Sequence, residues 1–101
     1  MDFDFSSSYS GPRNQFGRTA KEDAEKIAEF EQDAREMLRQ CDGEKDAIMV
    51  NYKANQAMRS LIDPNDSILR EAYAARSRIY KAELLRLGVP ESWFADWETL
   101  D

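Results

Sequence analysis

Residues 63–90 read DPNDSILREAYAARSRIYKAELLRLGVP, and this stretch decides the fold. Asp63 is a candidate N-cap, because its carboxylate can accept from the exposed N–H groups of a first helical turn. Pro64 suits the first helical position, where a missing N–H costs nothing. The interior, with Ala72, Ala74, Ala75, Ala82, Leu84 and Leu85, has neither glycine nor proline and is rich in good helix formers. Gly88 can take the left-handed position after the helix, and Pro90 blocks its continuation. Ile68, Ala72, Ala75, Ile79 and Ala82 recur at steps of three and four, and Leu69, Tyr73, Tyr80, Leu84 and Leu87 widen that face. A helix over 64–87 that needs partners along most of its length is therefore predicted.

Two further helices precede it. Thr19 with Glu22 is a capping box, and Ala20, Ala24, Ile27, Ala34, Leu38 and Cys41 form a thin stripe with Phe30 and Met37 beside it. Asp42-Gly43 ends this helix, which spans 20–41 and is expected to be the most exposed. Residues 44–62 carry apolar positions on two faces: Ala47, Val50, Ala54, Ala57 and Leu61 on one, Ile48, Tyr52, Met58 and Ile62 on the other. Two apolar faces predict the central element, contacted from both sides. Asn51, Asn55 and Gln56 interrupt them; the simpler expectation points these amides to solvent, and the sharper one is a buried network fixing helix register. A connection of about one residue at Asp63 makes the second and third helices an antiparallel hairpin.

The fold expected is thus all-α: a small three-helix bundle, or a long hairpin plus one helix, over 19–87. An extended N-terminal arm, 1–18, precedes it, and an acidic, Trp-rich segment with a short helix, 88–101, follows.

Both ends are rich in aromatics. Phe3, Phe5, Tyr9 and Phe16 stand in a polar, Ser- and Gly-containing arm, whereas disordered tails are usually poor in aromatics. In the tail, Trp93, Phe94, Trp97 and Leu100 fall on one helical face ringed by Glu91, Asp96, Glu98 and Asp101. They suit either a lid on the bundle or a helix offered to another protein's groove. These eight side chains are the candidate partner contacts.

Charge restricts the function further. The chain of 101 residues carries a net charge of −6, which disfavours generic binding to DNA or anionic membranes. Residues 19–42 hold eight acids against four bases, residues 64–87 three acids against five bases. The acidic first helix is expected to lie against the basic third. With no histidine, the commonest general base and metal ligand is missing. Cys41, at a helix C-terminus beside Asp42, is a poor thiolate. Asp63, Asn65 and Ser67 have the opening spacing of a calcium loop, but Ile68 stands where glycine is needed and Ala74 where the closing glutamate belongs.

No catalytic residue, cofactor or metal is expected, and no enzyme. The absence of a long apolar run, and an MDFDF start unlike a signal peptide, point to a cytoplasmic protein or one incorporated into a particle assembled there. The function expected is non-catalytic: an interaction or assembly protein holding a larger protein, an assembly or a second copy of itself, such as a small structural subunit of a virion. Two alternatives are an acidic inhibitor blocking a basic nucleic-acid-binding cleft on a target, and, less favoured on charge, a helical-hairpin DNA reader.

Overall fold

The structure, a computed structural model, describes the backbone of residues 11–98 and the side chains of residues 11–95. Phe3, Phe5, Tyr9 and Leu100 lie outside the described residues, as does the Trp97 side chain. Four helices follow in order: α1 (Ala20–Cys41), α2 (Lys45–Arg59), α3 (Ser67–Arg86) and the short α4 (Ser92–Glu98). No strand occurs among the described residues, and the chain is a small all-α bundle with a short C-terminal helix.

The capping box at the start of α1 is formed in both directions. Glu22 N–H donates to Thr19 Oγ1 at 3.2 Å, and Thr19 N–H donates to Glu22 Oε1 at 2.9 Å. At its other end Asp42 and Gly43 both take positive φ, 50° and 76°, and turn the chain into α2. The described end of the arm is not extended. Asn14 Oδ1 accepts from the N–H groups of Phe16 and Arg18, and Asn14 N–H donates to Arg18 C=O, so residues 14–18 form a tight loop against α1.

The junction between α2 and α3 corrects the expected boundaries. α2 stops at Arg59, not 62, and α3 starts at Ser67, not 64. Asp63 caps no helix. Its side chain accepts from Asn65 N–H at 2.9 Å, and its carbonyl accepts from Asp66 N–H at 2.9 Å. Asp-Pro-Asn-Asp thus makes a β-turn with Pro64 at its second position, the other local structure these residues favour. Asp66 is the N-cap instead, accepting from Leu69 N–H at 3.1 Å.

α3 ends as the sequence indicates. Gly88, at φ 99°, sends its N–H to Leu85 C=O, and Val89 N–H reaches Leu84 C=O. This is a Schellman closure, and its customary apolar contact is present: Leu84 and Val89 are both buried in the main core.

α3, not α2, is the central element. α1 and α2 each pack along α3 and barely touch one another beyond the turn that joins them. The N-terminal ends of α1 and α3 lie together, through Arg18 and Asp66, and Phe30 meets Tyr73 further along, so α1 and α3 run parallel. α2 runs antiparallel to both. The buried α3 residues Ala72, Tyr73, Ala75, Ser77, Tyr80 and Leu84 go round more than one face, as two neighbours require. Ala34, Ala72 and Ala75 are almost fully buried, and their small side chains let α1 and α3 approach closely.

The apolar core gathers at one end of the bundle. There Cys41, Ile48, Tyr52, Tyr80, Leu84, Val89 and Phe94 are buried together. Phe94 stands edge-on to Tyr52, ring centroids 5.3 Å apart, and this contact seats α4 on α2.

Candidate interaction surfaces

The opposite end is held by polar groups. Asn55, on the inner side of α2, donates through Nδ2 to Tyr73 C=O at 2.9 Å and to Ser77 Oγ at 2.7 Å. Its Oδ1 accepts from Arg76 Nε at 2.8 Å. The Ser77 hydroxyl in turn donates to Gln56 Oε1. Asn55, Gln56 and Ser77 are all buried. The buried amide network is therefore what the fold contains, and the simpler expectation of outward amides fails for these two residues. Asn51 is half-buried and donates to Ala47 C=O at 2.8 Å. One slip of α2 along α3 would break four hydrogen bonds in this cluster, so the network sets the register.

Arg18 closes the same end. Its guanidinium forks onto Asp66, with contacts of 2.5 and 3.0 Å, and its Nε reaches Asp23 at 2.6 Å. Only 13 % of the Arg18 side chain and 5 % of that of Asp66 are exposed. The Asp66 bond, then that to Asp23, holds the guanidinium pKa above its already high value. The same Arg18 bond holds the Asp66 carboxyl below its usual range, against the opposing effect of burial. Arg18 thus ties the arm to the N-termini of α1 and α3 at once.

The acidic first helix does lie beside the basic third, but ion pairing between them is slight. Arg76 approaches Asp33 at 3.9 Å. Its guanidinium lies instead over the rings of Phe30, 4.4 Å from the centroid, and Tyr73, 5.0 Å. Arg78 and Arg86 pair within α3, with Glu71 and Glu83, and Lys81 pairs with Glu91 of the tail.

With α3 enclosed, α2 is left half-covered. Ile48, Tyr52, Asn55 and Gln56 face inward. The other apolar face, Val50, Ala54 and Ala57, continued by Leu61 in the turn after the helix, is exposed: Val50 is 67 % and Leu61 78 % accessible. Met58, 45 % exposed, continues that face into a groove between α2 and α1. This groove has a volume of about 180 Å³; Met37 lines it from α1, Ala54 and Met58 from α2, Tyr80 and Arg76 from α3. A second cavity, about 320 Å³, lies between α2 and α3 on the other side of their contact.

The candidate contacts inferred from sequence are dispersed. Phe94 is fully buried and packs the core, whereas its neighbour Trp93 is 47 % exposed. Phe16 is half-buried beneath the Arg18 guanidinium, 5.5 Å from its ring centroid. The exposed face of α2 was assigned by periodicity to the core. Its composition carried the distinguishing signal: Val50, Ala54, Ala57 and Leu61 include no aromatic, while the covered side carries Tyr52 and the amides. Among the described residues no group of three or more acidic or cysteine side chains is placed to hold a metal, and no helix is long and apolar enough to cross a membrane.

No family model, no curated protein and no solved structure matches the chain.

Proposed function

We propose that the protein is a non-catalytic interaction or assembly module, and that the outer face of α2 is its principal contact. The observation that carries this reading is the exposure of Val50 on α2, of Met58 beside the α1–α2 groove, and of Leu61 in the turn that follows the helix. A helix with apolar positions on two faces is normally covered on both, and here only one is. A helix of another chain laid between α1 and α2 would cover the stripe and convert three helices into four, with α3 as the shared floor. The half-exposed Trp93 and the aromatic residues Phe3, Phe5 and Tyr9 of the arm are further contacts of the same module.

The test is Val50→Asp combined with Leu61→Asp. Neither side chain supports the bundle, so helicity and melting should match the parent within about 0.5 kcal/mol of stability. Association with the protein that co-purifies with the parent chain, or with a second copy, should be lost. Unchanged association in the double variant contradicts the proposal. The arm is tested separately by deleting residues 1–10. Deletion through Arg18 would instead dismantle the clamp on Asp66.

A further inference from the structure

Tyr80 carries a polar group that the fold does not use. It is 4 % exposed, and it belongs to the main core. Its hydroxyl makes no hydrogen bond to any group among the described residues. A buried tyrosine normally finds a partner for that oxygen. Tyr80 follows Arg76 by one helical turn, so the two share a face of α3. Arg76 approaches Asp33 on α1, so this face looks toward α1. There Tyr80 lines the groove of about 180 Å³ between α1 and α2. Burial holds the phenol above its ordinary pKa, so the hydroxyl keeps its proton and is available as a donor.

The rest of the groove indicates what would meet that donor. Asn51, on α2, donates through Nδ2 to Ala47 C=O at 2.8 Å, and its Oδ1 has no partner among the described residues. A ligand hydroxyl can accept from Tyr80 and donate to Asn51. Asn55 also lines the groove, but its amide is engaged on both sides. Met37 and Met58 supply the apolar walls, with Ala54. Thioether sulfurs make favourable contacts with aromatic rings. A dry cavity of about 150 Å³ accommodates benzene, so this groove has the volume of one substituted ring. Arg76 brings charge to the lining, but its Nε donates to Asn55 and its guanidinium lies over Phe30 and Tyr73. An anionic ligand would also meet Asp33 beside Arg76.

We propose that the α1–α2 groove is a binding site for a neutral phenolic ring, held between Met37 and Met58 with its hydroxyl on Tyr80 and Asn51. A free phenol and a tyrosine side chain present the same chemistry. The site is distinct from the exposed face of α2, because neither Val50 nor Leu61 lines it.

The experiment is a methyl NMR titration of the full chain with p-cresol, toluene and N-acetyltyrosinamide. Met37 and Met58 are the reporters, and Met49, outside the groove, is the control. p-Cresol should shift both reporter signals and leave Met49 in place. Toluene, without the hydroxyl, should bind about tenfold more weakly. Tighter binding of p-cresol than of N-acetyltyrosinamide assigns the site to a free molecule, and the reverse order assigns it to a partner's tyrosine. Tyr80→Phe should abolish the preference for p-cresol over toluene. It should melt no lower than the parent, because the hydroxyl it removes has no bond to lose. Val50→Asp/Leu61→Asp should bind p-cresol as the parent does, so this proposal and the preceding one fail separately. Unshifted Met37 and Met58 signals, equal binding of toluene, or a Tyr80→Phe variant that melts lower or keeps the preference would each overturn the proposal.

Discussion

Asn55 and Arg18 are the two residues on which most of the polar organisation depends. Asn55 meets a carbonyl, a hydroxyl and a guanidinium at once, all at the buried α2–α3 contact. Asn55→Ala leaves those partners unsatisfied and should cost about 1–3 kcal/mol, read as a lower urea midpoint. Asp66 gives a pH test. Its folded pKa is depressed below the ordinary 3.8, chiefly by Arg18. The stability it contributes is therefore complete above the unfolded value and lost as pH falls through the folded one. Asp66→Asn keeps a good cap but removes the charge. Relative to the parent it should be less stable at neutral pH, with the difference shrinking below about pH 4. A difference that stays constant across acid titration would contradict the role given to the Arg18 pair. Neither role could be read from the sequence with security. Arg18 stood in a Ser- and Gly-containing arm, 48 positions from its main partner, and nothing local marks such a pair. Asn55 was visible as an interruption of an apolar pattern, but a polar residue at such a position points inward only if a partner awaits it on another helix.

At the scale of elements, the ends of the helices were more legible than the middle. Capping chemistry is local, so Thr19/Glu22, Asp42-Gly43 and Gly88 were recognisable by residue type and spacing. The exception is instructive, because Asp63-Pro64 and Asp66-Ser67 both offer a plausible start. The turn closed by Asp63 takes the first, and the Arg18 fork favours a buried carboxylate at the second. Gly88 has nothing within 4 Å of where a Cβ would lie, so Gly88→Ala tests the backbone alone. At φ 99° it should cost about 1–3 kcal/mol, seen as a fall in melting temperature. Among the described side chains of α4, Phe94 is the buried one. Phe94→Ala removes a fully buried side chain packed on Tyr52 and should cost about 3–5 kcal/mol. Trp93→Ala, at the exposed neighbour, should change stability far less. Similar losses for the two would mean that α4 is seated differently.

For the whole molecule, the order of the helices in space matters more than their existence. Periodicity indicated three amphipathic helices, and the structure has them. What periodicity cannot report is which apolar face finds a neighbour, because faces of α2 and α3 look equally in need of cover. Placing α3 at the centre uses its alanines for close approach to α1 and its Ser77 for α2, and leaves the Val50–Leu61 face of α2 outside. An acidic surface and an uncovered apolar stripe then occupy separate regions of one small bundle. The most direct test of the central claim is site-specific photocrosslinking from position 57, at the middle of that stripe, with the exposed α1 position 35 as control. The account predicts a discrete adduct from position 57 that is absent from position 35 and is abolished by Leu61→Asp. No adduct, or the same adducts from both positions, would contradict it.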